Sequence, residues 1–197
     1  MSEPTAVSDE RLVEEFRLGR SSAFDELVTR NEARVYAVAL RMTGHREDAL
    51  DVMQEVFISM LRALPRFRAE ARVSTWIHRV TVNASLDLLR RRTRRPVEPL
   101  TATHERASGD PGPDEAAVEH GRAAEVRAAV MRLEPDHRAV IVLHDLEGLD
   151  YREVAESLEI PLGTVKSRIH RARLELARHL GHLREPTASP TPLREER

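Results

Sequence analysis

Apolar side chains recur at every third or fourth position along most of this chain, and no run alternates residue by residue as a strand would. That period commits the chain to helices packed on helices. Phe24, Leu27, Val28, Val35, Val38, Ala39 and Met42 form one stripe, which Thr43-Gly44 breaks. Ala49, Val52, Met53, Val56, Phe57, Met60, Leu61 and Leu64 form a second, closed by Pro65. Val73, Trp76, Ile77, Val80, Ala84 and Leu88 form a third, which predicts Trp76 in the core and not as a stacking platform. Burying about eight such side chains at ~1.5–3 kcal/mol each gives ample gross energy for a bundle, before chain entropy is subtracted.

From Pro96 to about Val118 the pattern dissolves into Pro, Gly, Asp, Glu, Thr and Ser, which predicts a flexible linker. Helical spacing resumes at Val126, Val130 and Leu133, then at Val140, Ile141, Leu143 and Leu146, with Gly148 as a stop. Asp150 with Glu153 predicts a capping box opening a short helix from Tyr151 to Leu158. Ile160-Pro161-Leu162-Gly163 predicts a turn, and a last helix follows from about Thr164 to Leu180. The tail from Glu185 is rich in Pro and Thr and is expected to be disordered. The predicted fold is all-α: two small helical domains, residues 9–95 and 120–184, joined by a flexible acidic linker at 96–119 and followed by the tail at 185–197.

The net charge of −2 conceals an asymmetry. Arg66 to Arg95 carries +7, Pro161 to Arg184 carries +5, and Pro96 to Glu125 between them carries −5. Two basic patches around an acidic spacer suggest a polyanion touched at two places. The short capped helix, tight turn and longer basic helix make the outline of a helix-turn-helix. At about 100° per residue, Val165, Ile169, Ala172 and Leu176 share one narrow core stripe, and Lys166, Ser167, His170 and Arg171 fall opposite it. Those four are positioned for a major groove, with Arg168 and Arg173 at the flanks placed for phosphates. In the N-terminal half, Asp48, Asp51 and Glu55 line one side of the second helix. An acidic strip repels DNA, so on the residues alone it is either a solvated face or a protein contact.

The stretch from Leu133 to Gly148, followed by Tyr151-Arg-Glu-Val-Ala155 and Pro161-Leu-Gly-Thr-Val-Lys-Ser-Arg-Ile-His-Arg-Ala-Arg173, closely resembles domain four of extracytoplasmic-function sigma factors, the smallest members of the sigma-70 family. Asp48-Ala-Leu-Asp-Val-Met-Gln-Glu-Val-Phe57 resembles the sigma domain-two helix that docks on the β′ clamp helices of RNA polymerase. The resemblance implies a chain that binds core polymerase, through the β′ clamp helices and the β flap, and directs it to promoters. It gives the polymerase contact to Asp48, Asp51, Gln54 and Glu55. Phe67-Arg-Ala-Glu-Ala-Arg-Val-Ser-Thr-Trp76 is similar to the loop and helix that melt the −10 element and hold a flipped base. Flipping costs a few kcal/mol, which polar edges and a shaped pocket must recover. Phe67, Arg68, Ser74, Thr75 and Asn83 suit that pocket; Arg79, Arg90, Arg91 and Arg92 suit the backbone. The resemblance assigns −35 reading to Lys166, Ser167, Arg168, His170, Arg171 and Arg173, and it implies control by an anti-sigma protein that clamps both modules. It spans about Asp9 to Arg95 and Ala123 to Arg184. The acidic N-terminal domain and domain three of larger members have no counterpart in it, so inhibition in cis is not expected to follow the housekeeping pattern.

Other classes fit less well. An ordinary helix-turn-helix regulator would be a dimer with a sensing domain, and it would leave the acidic helix without a role. An enzyme would show a phosphate loop, nucleophile elbow or zinc-protease motif, and none occurs. His179 and His182 share a helix face without a third ligand, so neither metal nor cofactor is expected. The absence of cysteine, of any apolar run near 18 residues, and of an apolar core in Met1 to Phe16 predicts a cytoplasmic protein not inserted in membranes, and the resemblance implies one that is nucleoid-associated when active and monomeric when free. A linker of about 25 residues reaches roughly 25–30 Å on average, and about 85 Å fully extended. Two weak DNA contacts could then act together once polymerase fixes their spacing, so the free chain is expected to bind promoters poorly.

Overall fold

The computed structural model describes residues 7–67, 72–94 and 115–181. Its α-helices are α1 (Asp9–Arg17), α2 (Ser21–Thr43), α3 (Arg46–Ala63), α4 (Val73–Arg94), α5 (Glu115–Arg132), α6 (Pro135–Ile141), α7 (Tyr151–Leu158) and α8 (Leu162–His179), with no strand among the described residues. The stops read from the sequence operate as expected. Gly44 adopts φ 75°, where side chains are strained, and its N–H closes α2 on the Leu40 carbonyl at 2.8 Å. Asp150 Oδ1 accepts from the N–H groups of Arg152 and Glu153, and Glu153 returns a bond to the Asp150 N–H at 2.9 Å, completing the capping box.

Helices α1 to α4 enclose one core, built on Leu27, Val35, Ala39, Val56, Met60 and Ile77. Trp76 packs partly buried against it, its ring 5.4 Å from that of Phe67, so the core assignment of the tryptophan stands. Leu61 does not belong to the buried stripe: it is 48% exposed. The physical reason is angular, since Leu61 lies eleven residues after Leu50 and so returns to the same outward side of α3. Helix α5 begins at Glu115, inside the stretch read as linker, where a run of Ala and Glu has strong helix propensity. The linker proper, Arg68 and the tail from Glu185 lie outside the described residues.

The second core crosses between the modules. Val38 and Met42 of α2 and Val82 and Leu86 of α4 meet Ala139, Val140, Leu143, Val154, Val165 and Ile169 from the C-terminal half. Sequence periodicity predicts two separate cores; the structure shares one of them. Helix α4 is therefore covered on both sides, by α2 and α3 and by α6 and α7.

Leu27 is fully buried, so Leu27→Ala leaves a cavity in the first core. The expected loss is about 2–5 kcal/mol of stability with helical content retained below the transition, read from thermal or urea unfolding.

Candidate nucleic-acid interface

Helix α8 is set by its own core stripe. Val165, Ile169 and Ala172 are buried, and Lys166, Ser167, His170 and Arg171 are exposed on the side away from them. Ser167 Oγ donates to the Thr164 carbonyl at 3.0 Å, leaving its lone pairs outward. Both flanking arginines are engaged within the structure. Arg168 donates to Asp136 at 2.7 Å, and Arg173 makes a two-bond fork to Asp145, with Nε at 3.2 Å. That charge-assisted pairing raises the Arg173 guanidinium above its ordinary range. A fork held by a carboxylate is also shaped for a phosphate.

The −10 candidates spread along α4 and its entry. Phe67 is half-buried against Trp76, Ser74 and Arg79 are half-buried, and Arg91 is exposed with Nε donating to the Asp87 carbonyl at 3.3 Å. A groove of about 770 Å³ runs between α3 and α4, bringing Arg79, Asn83, Arg90 and Arg91 beside Trp76 and Glu55. Thr75, Asn83 and Arg90 are not free of the C-terminal module. Thr75 Oγ1 lies 3.3 Å from Glu153 Oε1, Asn83 Nδ2 lies 3.5 Å from the Ser157 carbonyl, and Arg90 Nη2 lies 3.7 Å from Asp136.

On α3, Asp51, Gln54 and Glu55 are exposed, and so are Leu50 at 40% and Ile58 at 37%. At about 100° per residue these five and Leu61 fill one arc, an apolar band edged by carboxylates. Sequence stripes missed the apolar half because Leu61 fits an inward stripe by spacing almost as well. Asp48 is different. It is 2% exposed, and Arg92, near the C-terminal end of α4, is paired to it across the helix pair. Burial at the start of α3 makes Asp48 a clamp between two helices, and the same pairing withdraws Arg92 from the backbone-contact set.

The modules are joined by polar groups as well as by the shared core. Glu147 sits beneath Arg41 of α2 and 3.3 Å from His78 Nε2 of α4. Burial alone pushes the Glu147 carboxyl up, but hydrogen bonding and charge from His78, with the charges of Arg41 and Arg34, outweigh it and hold the group below its usual range. Arg138 is buried and its guanidinium is pushed down by that burial, against the charge of Glu134. Its fork donates to the carbonyls of Met42, Met131 at 2.6 Å and Leu133 at 3.0 Å, so one side chain satisfies backbone acceptors from both modules. A side chain at Gly44 would press on the Met131 thioether of α5.

Sigma-70 region 2 matches residues 27–95, and Sigma-70, region 4 matches residues 123–176. The ECF RNA polymerase sigma factor SigE of Mycolicibacterium smegmatis is 39% identical over 167 residues, covering 84% of this chain and 65% of that protein, so the chain spans just under two thirds of that relative. SigM of Mycobacterium tuberculosis is 39% identical over 176 residues, covering 89% of this chain and 86% of that one. The solved structure of CnrH in complex with the cytosolic domain of CnrY matches at a TM-score of 0.64 with 27% identity, covering 88% of this chain and 97% of that chain.

The pH response of Glu147 follows from its environment. A carboxylate held below its ordinary value of 4.5 adds stability above that pH and loses it as acid titrates the folded form. Glu147→Gln is expected to cost about 1–3 kcal/mol at pH 7, with the gap to the parent closing as the pH falls below about 4.5. Paired melting curves across that range read the difference, and a pH-independent gap would contradict the assignment.

Proposed function

Since the chain belongs to the extracytoplasmic-function sigma factors of the sigma-70 family, we propose that it binds core RNA polymerase and directs promoter recognition and transcription initiation, with polymerization left to its partner. It acts through contacts and needs no catalytic group of its own. The observation that carries this reading is the exposure, on separate helices, of an acid-edged apolar band on α3 and a polar basic face on α8. Neither surface is useful alone. One suits a protein partner, the other suits DNA, and together they describe an adaptor between the two.

In this assignment Asp51, Gln54 and Glu55, with Leu50, Ile58 and Leu61 beside them, dock on the β′ clamp helices. Asp48 supports that surface from below. Phe67, Arg68, Ser74, Thr75, Arg79, Asn83, Arg90 and Arg91 take the −10 element, and the groove lined by Arg79, Asn83, Arg90 and Arg91 offers polar edges of the kind that an unstacked base requires. Lys166, Ser167, His170 and Arg171 read the −35 element in the major groove, with Arg168 and Arg173 on the phosphates and the β flap supporting this module. No helix among the described residues is long and apolar enough to cross a membrane. The working location is the cytoplasm, with the nucleoid when active. The solved structure of CnrH is a complex with the cytosolic domain of CnrY, and an anti-sigma protein clamping both modules is the regulatory partner assigned to this chain.

The double reversal Asp51→Arg, Glu55→Arg tests the polymerase face, since both side chains are exposed and carry no part of the core. Capture of core polymerase is expected to fall at least tenfold, and run-off transcription with it, at unchanged helical content. Undiminished capture and transcription would overturn the proposal.

A further inference from the structure

Of the 31 lysine and arginine residues in this chain, Lys166 alone is lysine. The difference is chemical as well as compositional. A guanidinium stays protonated in proteins and offers no nucleophilic lone pair, whereas an ammonium that gives up a proton becomes an amine able to take an acyl group. The one side chain with that reactivity stands exposed on the outward side of α8, within the set assigned to −35 DNA.

Its surroundings leave it unengaged. The carboxylates around α8 are committed elsewhere: Asp136 accepts from Arg168 at 2.7 Å, Asp145 accepts from Arg173 at 3.2 Å, and Glu175 lies 3.1 Å from His137. Arginine and histidine take these three acids, and no ion pair among the described residues includes Lys166. One turn on, His170 is also exposed. At about 100° per residue it lies about 40° from Lys166, and side chains four apart on a helix are neighbours with roughly 5–6 Å between their Cβ atoms. A neutral imidazole at that separation accepts the ammonium proton directly or through one water. Amine and base thus stand side by side on a segment, Pro161 to Arg184, whose charge of +5 draws anions.

We propose that Lys166 is an acylation site, with His170 as its base, and that the modification switches off −35 binding. The donor is an activated acyl group on an anionic leaving group, either phosphate or coenzyme A thiolate. The imidazole takes one proton from the ammonium, and the freed lone pair attacks the acyl carbon. The C–N bond forms and the acyl C–O or C–S bond breaks. The leaving group departs with that electron pair and takes the second proton from nitrogen, and nothing is oxidised or reduced. The product amide has lost the charge and two of the three donors of the ammonium, so it neither attracts phosphate nor forks onto a guanine. The effect on DNA rests on the −35 role given to Lys166 above; the reactivity of the pair does not.

The full-length chain is treated near neutral pH with acetyl phosphate and, separately, with acetyl-coenzyme A, then freed of reagent and mapped by peptide mass spectrometry. With at least one donor, Lys166 is expected to gain its acetyl group at least threefold faster than Nα-acetyl-lysine in the same solution. His170→Asn should bring the rate down to that of the free amino acid. A duplex selected by the unmodified holoenzyme from a randomised pool then reads the consequence. The acetylated chain, assembled with core polymerase, should bind it at least fivefold more weakly, whereas Lys166→Arg should bind it equally with and without treatment. Acylation no faster than that of the free amino acid, a rate indifferent to His170→Asn, or undiminished duplex binding after acetylation would overturn the proposal. Lys166→Gln separates it from the reading beneath. Weaker duplex binding by this variant, in a chain whose Lys166 resists acylation, removes only the modification; binding equal to the parent removes the −35 role of Lys166.

Discussion

Everything in this structure turns on α4 being a helix packed from both sides. An ordinary surface helix buries one stripe and shows the rest to water. Helix α4 buries Val73 and Ile77 toward the first core and Val82 and Leu86 toward the second. Such enclosure leaves polar residues stranded unless they are satisfied locally. Thr81 and Ser85 are fully buried, and their hydroxyls donate to the carbonyls of Ile77 and Thr81 on the preceding turn at 2.8 Å. That back-bonding supplies partners without a neighbour's help, so α4 can carry polar residues inward and still be covered. The helix is the floor of the N-terminal bundle and the ceiling of the junction.

Within-module structure was largely legible because it is written locally. Period 3.6 located α2, α3, α7 and α8, and Gly44 and the Asp150–Glu153 box marked where elements stop or start. The outward set on α8 followed from the angle between Val165 and its neighbours, and all four residues are exposed. What could not be read was which of two equivalent sides faces a neighbour. Asp48 and Asp51 are both acids on α3, three residues apart, yet one is buried beneath Arg92 and the other is free. Nothing in a spacing count distinguishes them, because the difference is made by α4, a distant part of the chain. Leu61 failed for the same reason in reverse. The junction was invisible altogether: Val38 and Met42 sit on a stripe that reads as core for their own bundle, Val82 and Leu86 lie opposite the third stripe, and an apolar residue does not announce which core it joins.

Arginine gives the junction its specificity. Apolar packing is non-directional and would tolerate sliding of one module over the other. Arg138 does not, since its planar fork must reach the Met42 carbonyl at the end of α2 and two carbonyls beside α6 in a single orientation. Removing the fork would leave buried carbonyls unpaired, a larger penalty than the net value of the bonds themselves. The carboxylates of Glu147 and Asp136 add direction at the periphery, each meeting nitrogen-bearing side chains from more than one helix.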